Sequence, residues 1–210
     1  VGIEMVAELA EPTLQQIMRM RVRPMMLSKR WRDFLGNLPA DSGWSIQVTG
    51  APGTGKSTWS LMFADEMQRH GKVLYAFAEE VHQAGTIQER AKKAKVRMTP
   101  NLVIPEVTRL SMIRAYLDTG KYRYCIVDSI NTIEDATDFE VTSLTKAYPE
   151  VGFLFVAQTT KDRRRSRGDG RNEHNVYATF QSIRRENARF IVAEKNRYGG
   201  TVNEFFVFST

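Results

Sequence analysis

The stretch Thr49-Gly50-Ala51-Pro52-Gly53-Thr54-Gly55-Lys56-Ser57-Thr58 decides how the rest of the chain is read. A β-rich run at 45–49 leads into it and a helix-like run at 56–69 leaves it, so G-x-x-x-x-G-K-S sits between a strand and a helix. That context is the one a phosphate-binding loop requires. Glycines at 50, 53 and 55 let the backbone turn tightly enough for successive N–H groups to face anionic oxygens, aided by the helix N-terminus. Lys56 adds a cation for the β- and γ-phosphates. Ser57 offers a hydroxyl to Mg²⁺, an ion that keeps several waters and takes its other oxygens from phosphate. The residues expected to bind ATP are therefore Gly50, Pro52, Gly53, Thr54, Gly55, Lys56, Ser57 and Thr58.

Outward from this loop, strand-like runs at 45–49, 72–77, 102–104, 124–127 and 152–157 alternate with helix-like segments at 56–69, 83–95, 111–119 and 139–147. Alternation of this kind reads as an α/β fold with a mostly parallel sheet covered by helices. In the first helix Leu61, Ala64 and Met67 share a face, and Gly71 is a candidate C-terminal cap. Beyond 157 come a polar basic loop and β-type runs at 178–183, 189–194 and 202–208, which read as an antiparallel C-terminal extension. No internal repeat of 20–50 residues is visible.

Two further requirements of phosphoryl chemistry fall at strand ends. Tyr124-Cys125-Ile126-Val127-Asp128 closes on a carboxylate able to hold the water shell of a metal, which makes Asp128 the second metal candidate beside Ser57. Glu79 and Glu80 directly follow the strand Val73-Leu74-Tyr75-Ala76-Phe77, and either could orient or deprotonate an attacking water. Gln158 ends the next apolar strand, where a neutral amide can sense the γ-phosphate or that water.

Composition sets the outer bounds. The 210 residues, 42% apolar and 26% charged, are enough for one well-buried domain and do not read as disordered. The longest apolar runs are strand-sized, far short of a membrane span, and Glu4, Glu8 and Glu11 are the wrong chemistry for an export signal. Cys125 is the only cysteine. It can form no internal disulfide and no cysteine-rich zinc site, which points to a reducing cytoplasm. Residues 1–40 interleave arginines and lysines with methionines and Trp31, and read as a basic arm or docking segment preceding an ATPase core at 41–210.

Together the loop at 50–58, Val73-Leu74-Tyr75 leading to Glu79-Glu80, Val127-Asp128-Ser129-Ile130 and Glu194-Lys195-Asn196-Arg197-Tyr198-Gly199 resemble the RecA-like P-loop ATPase superfamily, nearest to the core of the RadA (Sms) DNA repair proteins. The last segment is similar to that family's K-N-R-F-G motif, with Tyr198 in place of phenylalanine. A comparable basic pair occurs in DnaB-type helicases, where it reaches a nucleotide on the adjacent subunit. By that resemblance Lys195 and Arg197 are trans-acting catalytic fingers, Glu79 is the catalytic glutamate and Gln158 a sensor. RadA proteins commonly place another residue at the Gln158 position. The resemblance further implies a homo-oligomer, ring or filament with a hexamer favoured, and ATP between subunits. The family's four-cysteine zinc module and Lon-protease-like domain have no match in these 210 residues, which are expected to be a trimmed or minimal relative.

Residues 161–171 carry six Lys/Arg and two Asp, a local charge of +4 within a net +6. The segment is too polar and glycine-punctuated to pack, so a loop is expected. In RecA-like rings the loops at this point of the core line a central channel. The resemblance therefore assigns Lys161, Arg163, Arg164, Arg165, Arg167 and Arg171 to single-stranded DNA, with Tyr177 as a neighbouring aromatic for base stacking. The expected activity is Mg²⁺-dependent, DNA-stimulated ATP hydrolysis driving recombination or branch migration. The alternatives are a DnaB-type helicase motor and a KaiC-like nucleotide-gated regulatory module without DNA binding.

Overall fold

A computed structural model describes residues 13–19, 22–78, 84–136, 138–159 and 176–209. The elements in chain order are α1 (Leu14–Arg19), α2 (Lys29–Leu35), β1 (Trp44–Thr49), α3 (Lys56–Met67), β2 (Val73–Phe77), α4 (Ala84–Lys93), β3 (Leu102–Val103), α5 (Leu110–Leu117), β4 (Tyr124–Asp128), α6 (Asp138–Ala147), β5 (Gly152–Val156), β6 (Ala178–Arg185), β7 (Ala188–Asn196) and β8 (Glu204–Ser209). Among the described residues, eight strands form one sheet in the order β3-β2-β4-β5-β1-β6-β7-β8. β1 lies between β5 and β6, so the loop that follows it emerges near the middle of the sheet. The α/β class with a mostly parallel sheet is as the sequence implies. One detail differs: β6 pairs parallel with β1, and antiparallel pairing begins only at β6–β7 and β7–β8.

Because successive side chains of a strand point to opposite faces, each central strand feeds two cores. Val73, Tyr75 and Phe77 of β2, Tyr124 and Ile126 of β4, and Leu154 and Val156 of β5 join the α3 side. Leu74 and Ala76, Cys125 and Val127, and Phe153 and Phe155 join the α5 and α6 side. Burial on both faces is why these strands read as continuous apolar runs. Helix α3 ends at Met67, with Gln68 in a right-handed helical conformation at the cap position. Gly71 lies beyond that position, its N–H donating to Met67 O at 3.2 Å, and its lack of a side chain lets the turn pass close to Arg123.

The segment before β1 departs most from expectation. Met25, Leu27, Trp31, Phe34, Leu35 and Leu38 are buried in the α3-side core, so this part of the 1–40 region is a structural layer of the domain rather than an arm. Trp31, Phe34, Leu35 and Leu38 follow i, i+3, i+4, i+7 spacing. The basic residues among them face outward: Lys29 and Arg30 are exposed. Trp31 packs on Trp59, Phe63 and Phe205 at centroid distances of 5.6, 5.5 and 4.5 Å, tying α2 to the loop helix α3 and to β8. Ser28 anchors the start of α2, its N–H and hydroxyl donating to the Glu66 carboxylate at 2.6 and 3.2 Å. Leu14, Val22 and Met26 on the N-terminal side remain exposed.

Candidate nucleotide-binding site

The loop expected to bind phosphate lies where β1 hands over to α3. Gly55 takes the N-cap position of α3 in the left-handed region, φ 98° and ψ 9°, a backbone state that residues with a Cβ adopt at a cost. Lys56 Nζ donates to the carbonyls of Gly50 and Ala51, both at 2.8 Å, so its ammonium is drawn back over the loop it belongs to. Pro52, Gly53, Gly55, Lys56, Ser57 and Thr58 share a cavity of about 290 Å³ with Asp128, Ser129 and Gln158. Three separated parts of the sequence, predicted individually, thus meet at one place. Thr54 is buried beside them, its hydroxyl donating to Ala51 O at 2.8 Å. Gln158 is held at the end of β5 by its backbone N–H, which donates to Asn131 Oδ1 at 2.6 Å.

Residues that no sequence motif singles out brace the loop and complete the cavity. Arg189, at the start of β7, is buried and its Nε donates to Gly53 O at 3.1 Å. Ser182 on β6 donates to Thr54 O at 2.8 Å. The antiparallel extension therefore braces the phosphate loop directly. Arg90 of α4 and Phe208 of β8 complete the cavity wall, with Lys93 Nζ over the Phe208 ring at 3.6 Å. No local motif marks these positions, because each reaches the loop only through the strand order β1-β6-β7-β8 and the packing of α4 on α3. The one available signal is an arginine inside an otherwise apolar strand, as at Arg189-Phe190-Ile191-Val192.

The donor set fits a Mg²⁺-bound nucleotide. Ser57 and Asp128 supply hard oxygens, few in number, as for an ion that draws its remaining ligands from phosphate and water. Ser129 Oγ is buried in the same cavity and has no hydrogen-bond partner among the described residues, a polar atom placed for a bound polar group. The Asp128–Ser129 peptide bond is cis.

Lys195 and Arg197 lie elsewhere. Lys195 is level with Thr179 on β6, and Thr179 with Gln47 on β1, whereas the loop begins beyond Thr49. The Arg197 N–H donates to Tyr177 O, and the Tyr177 N–H to Ser45 O, one step farther from the loop. Five residues of strand at about 3.3 Å each place Arg197 roughly 16 Å back along the sheet from Gly50. Lys195 Nζ donates to Val176 O at 2.6 Å, and burial followed by the charge of Arg197 lowers its pKa. Tyr177, more than half exposed, stacks on Tyr198 at 5.8 Å beside this pair. The turn is clamped to α2: Asn196 Nδ2 donates to Phe34 O and Leu35 O at 3.1 and 3.2 Å, and Asn37 N–H donates to Tyr198 O at 2.8 Å. Gly36, at φ 81°, has the Tyr198 carbonyl so close that a Cβ would lie 2.1 Å from its oxygen.

Glu79 and Glu80 lie outside the described residues, as do Lys161, Arg163, Arg164, Arg165, Arg167 and Arg171.

Comparison with known proteins bears on this geometry. The DNA repair protein RadA of Campylobacter jejuni is 31% identical over 183 residues, covering 79% of this chain and 40% of the relative. RadA of Aquifex aeolicus is 32% identical over 176 residues, covering 76% and 38%. The chain carries the RecA-like P-loop ATPase core and is related to RadA. It spans about two fifths of the length of the curated relatives it matches. A KaiC-like protein of Pyrococcus horikoshii has the same fold, with a TM-score of 0.63 over 89% of this chain and 94% of that one at 15% identity. No family model matches. Among the described residues of this RadA relative, no helix is long and apolar enough to cross a membrane.

Proposed function

We propose that this RadA relative hydrolyses ATP with Mg²⁺ and couples turnover to single-stranded DNA, as a recombination or branch-migration motor assembled from several copies. The observation that carries the reading is the convergence of Lys56, Ser57, Asp128 and Gln158 on one cavity above the phosphate loop, with Lys195 and Arg197 at the opposite end of the sheet. The loop N–H groups and Lys56 bind and orient the triphosphate. Ser57 and Asp128 hold the hydrated ion, which when bound offsets phosphate charge. Gln158 positions the attacking water, and Glu79 takes its proton, with Glu80 the alternative base. Lys195 and Arg197 are out of reach of their own chain's cavity, so they serve the nucleotide of a neighbouring copy, where the planar fork of Arg197 suits a phosphoryl group redistributing its charge. A homo-oligomer with ATP at its interfaces, a ring of six favoured, follows from that division.

DNA contact is assigned to Lys161, Arg163, Arg164, Arg165, Arg167 and Arg171, whose charge would neutralise backbone phosphates without sequence preference. The test is the ATPase rate with and without single-stranded DNA across a salt series. The comparison is with a variant neutralised at Arg163, Arg164, Arg165 and Arg167. The wild type is expected to be stimulated, steeply less so as salt rises, and the variant to keep only the basal rate. Equal stimulation of the two proteins rules out the loop assignment. Unwinding of a forked duplex would instead favour a DnaB-type motor. Tight ATP binding without turnover, with or without DNA, would favour a nucleotide-gated module of the KaiC-like kind, whose fold this chain shares.

A further inference from the structure

Two hydroxyls outside the phosphate-loop and strand-end motifs hold Asp128. Tyr75 Oη donates to Asp128 Oδ2 at 2.6 Å. Ser60 Oγ lies 2.7 Å from Tyr75 Oη and 3.3 Å from the same Oδ2. All three side chains are inaccessible or nearly so, at 0, 0 and 3% exposure for Tyr75, Ser60 and Asp128. They meet because Tyr75 alternates onto the α3 face of β2, next to β4, and Ser60 lies one turn into α3 beyond the phosphate loop. An ionised carboxylate can only accept, so the Tyr75 phenol is the donor of this bond. Since the Tyr75 proton goes to the carboxylate, Ser60 shares its own among Asp128 Oδ2 at 3.3 Å, Tyr75 Oη at 2.7 Å and Ser57 O at 3.0 Å. A phenylalanine would fill the same slot in the core. Burying a hydroxyl there is costly unless it is bonded, and the bond it makes is to the carboxylate that lines the nucleotide cavity.

We propose that Tyr75, backed by Ser60, is the positioning residue for Asp128: the two hydroxyls tie down Oδ2 and fix the rotation of the carboxylate, so that Asp128 meets the water shell of a bound metal in one orientation. The inference rests on the reading of Asp128 as a Mg²⁺-nucleotide ligand. Outer groups of this kind set metal affinity because a freely rotating carboxylate must be ordered at each binding event.

The experiment measures Mg²⁺ half-saturation by titrating Mg²⁺ against a fluorescent ATP analogue, with Mg²⁺-free nucleotide binding and thermal melting as controls. Tyr75→Phe is expected to keep Mg²⁺-free binding and to raise the Mg²⁺ half-saturation about 10-fold or more. Ser60→Ala, which leaves the Tyr75–Asp128 bond, is expected to raise it by about 2- to 5-fold, below the roughly 10- to 100-fold typical of losing a direct outer partner. In an Asp128→Asn background, Tyr75→Phe should add nothing, because the carboxylate through which it acts is gone. An unchanged Mg²⁺ half-saturation in a folded Tyr75→Phe overturns the proposal, as does a full additional shift in the Asp128→Asn background. Should Tyr75→Phe not fold, an unshifted Ser60→Ala overturns it instead. A wild type whose nucleotide binding ignores Mg²⁺ would defeat the underlying ATPase reading, a result distinct from any of these.

Discussion

The two ends of β7 do opposite jobs. At Arg189 the strand supports the phosphate loop of its own chain, through a buried guanidinium on Gly53 O. At Lys195 and just beyond, the same strand presents cations that cannot reach that loop. The loop end gathers Lys56, Ser57, Asp128 and Gln158 on one cavity. The other end offers Lys195, Arg197, Tyr177 and Tyr198 around a turn held from below by α2. What separates them is strand register: six residues of strand carry a side chain from beside the phosphate loop to the far end of the sheet, where the proposed finger role would have to be exercised on another copy.

That contrast is broken most directly at Arg197. Arg197→Ala should lower turnover about 1,000-fold, within the range of a finger residue, while nucleotide affinity stays within about twofold. Mixing it with Lys56→Ala should restore activity, since the mixed interfaces pair an intact loop with an intact finger. Steady-state turnover of the mixture decides the matter, and a mixture no more active than its parts means that both groups act within one chain. Lys195→Ala should behave in the same way with a smaller loss.

The cis side is probed by Lys56→Ala alone, expected to lose about 100-fold in nucleotide affinity and turnover together. Mixing it with wild type should not recover binding at its own sites, which equilibrium titration with a fluorescent nucleotide would report. Arg189→Ala is the subtler lesion. It removes the brace and leaves every phosphate donor in place, so the Kd for nucleotide should rise about 10-fold, the worth of one charge-assisted hydrogen bond. If affinity is unaltered, the extension does not stiffen the loop.

The smallest effect concerns the layer beneath both ends. Burial pushes the Glu66 carboxyl upward, but His70, the Ser28 backbone N–H, Arg69 and the Ser28 hydroxyl together bring it down to about 2 from an ordinary 4.5. A carboxylate whose pKa is depressed on folding stabilises the fold above the unfolded value and loses that contribution as pH falls through the folded one. Glu66→Gln should therefore cost about 1–2 kcal/mol at neutral pH. The gap in Tm between wild type and variant should close as pH drops from 4.5 toward 2. A gap that persists at low pH would mean that shape rather than charge matters there.

These contrasts also mark where sequence reading succeeds. The phosphate loop, the strand ending in Asp128 and the position of Gln158 were legible because each is local: a glycine spacing or an apolar run with a polar terminus. Residues 25–38 suggest a basic arm because their arginines and lysines stand out in the sequence, whereas the Trp31, Phe34, Leu35, Leu38 stripe beneath them is what the core buries. Arg189, Ser182, Tyr75 and Ser60 carry no local motif, and the arginine in an apolar strand at 189 is the one signal among them. Their partners lie 15 to 136 positions away, and only strand order and the alternation of side chains across the sheet bring them together.

One buried group has a practical consequence. Cys125 is the only cysteine of the 210 residues, faces the α5 and α6 core, and its thiol is pushed far up by burial. Reagents that label thiols attack the thiolate, so this sulfur is silent toward them while the fold is intact. A single cysteine introduced at exposed Met98 or Met26 would therefore carry a fluorophore alone, without first deleting a native thiol. Two populations dyed separately would then report by energy transfer whether copies of the chain associate, before any ATP is consumed.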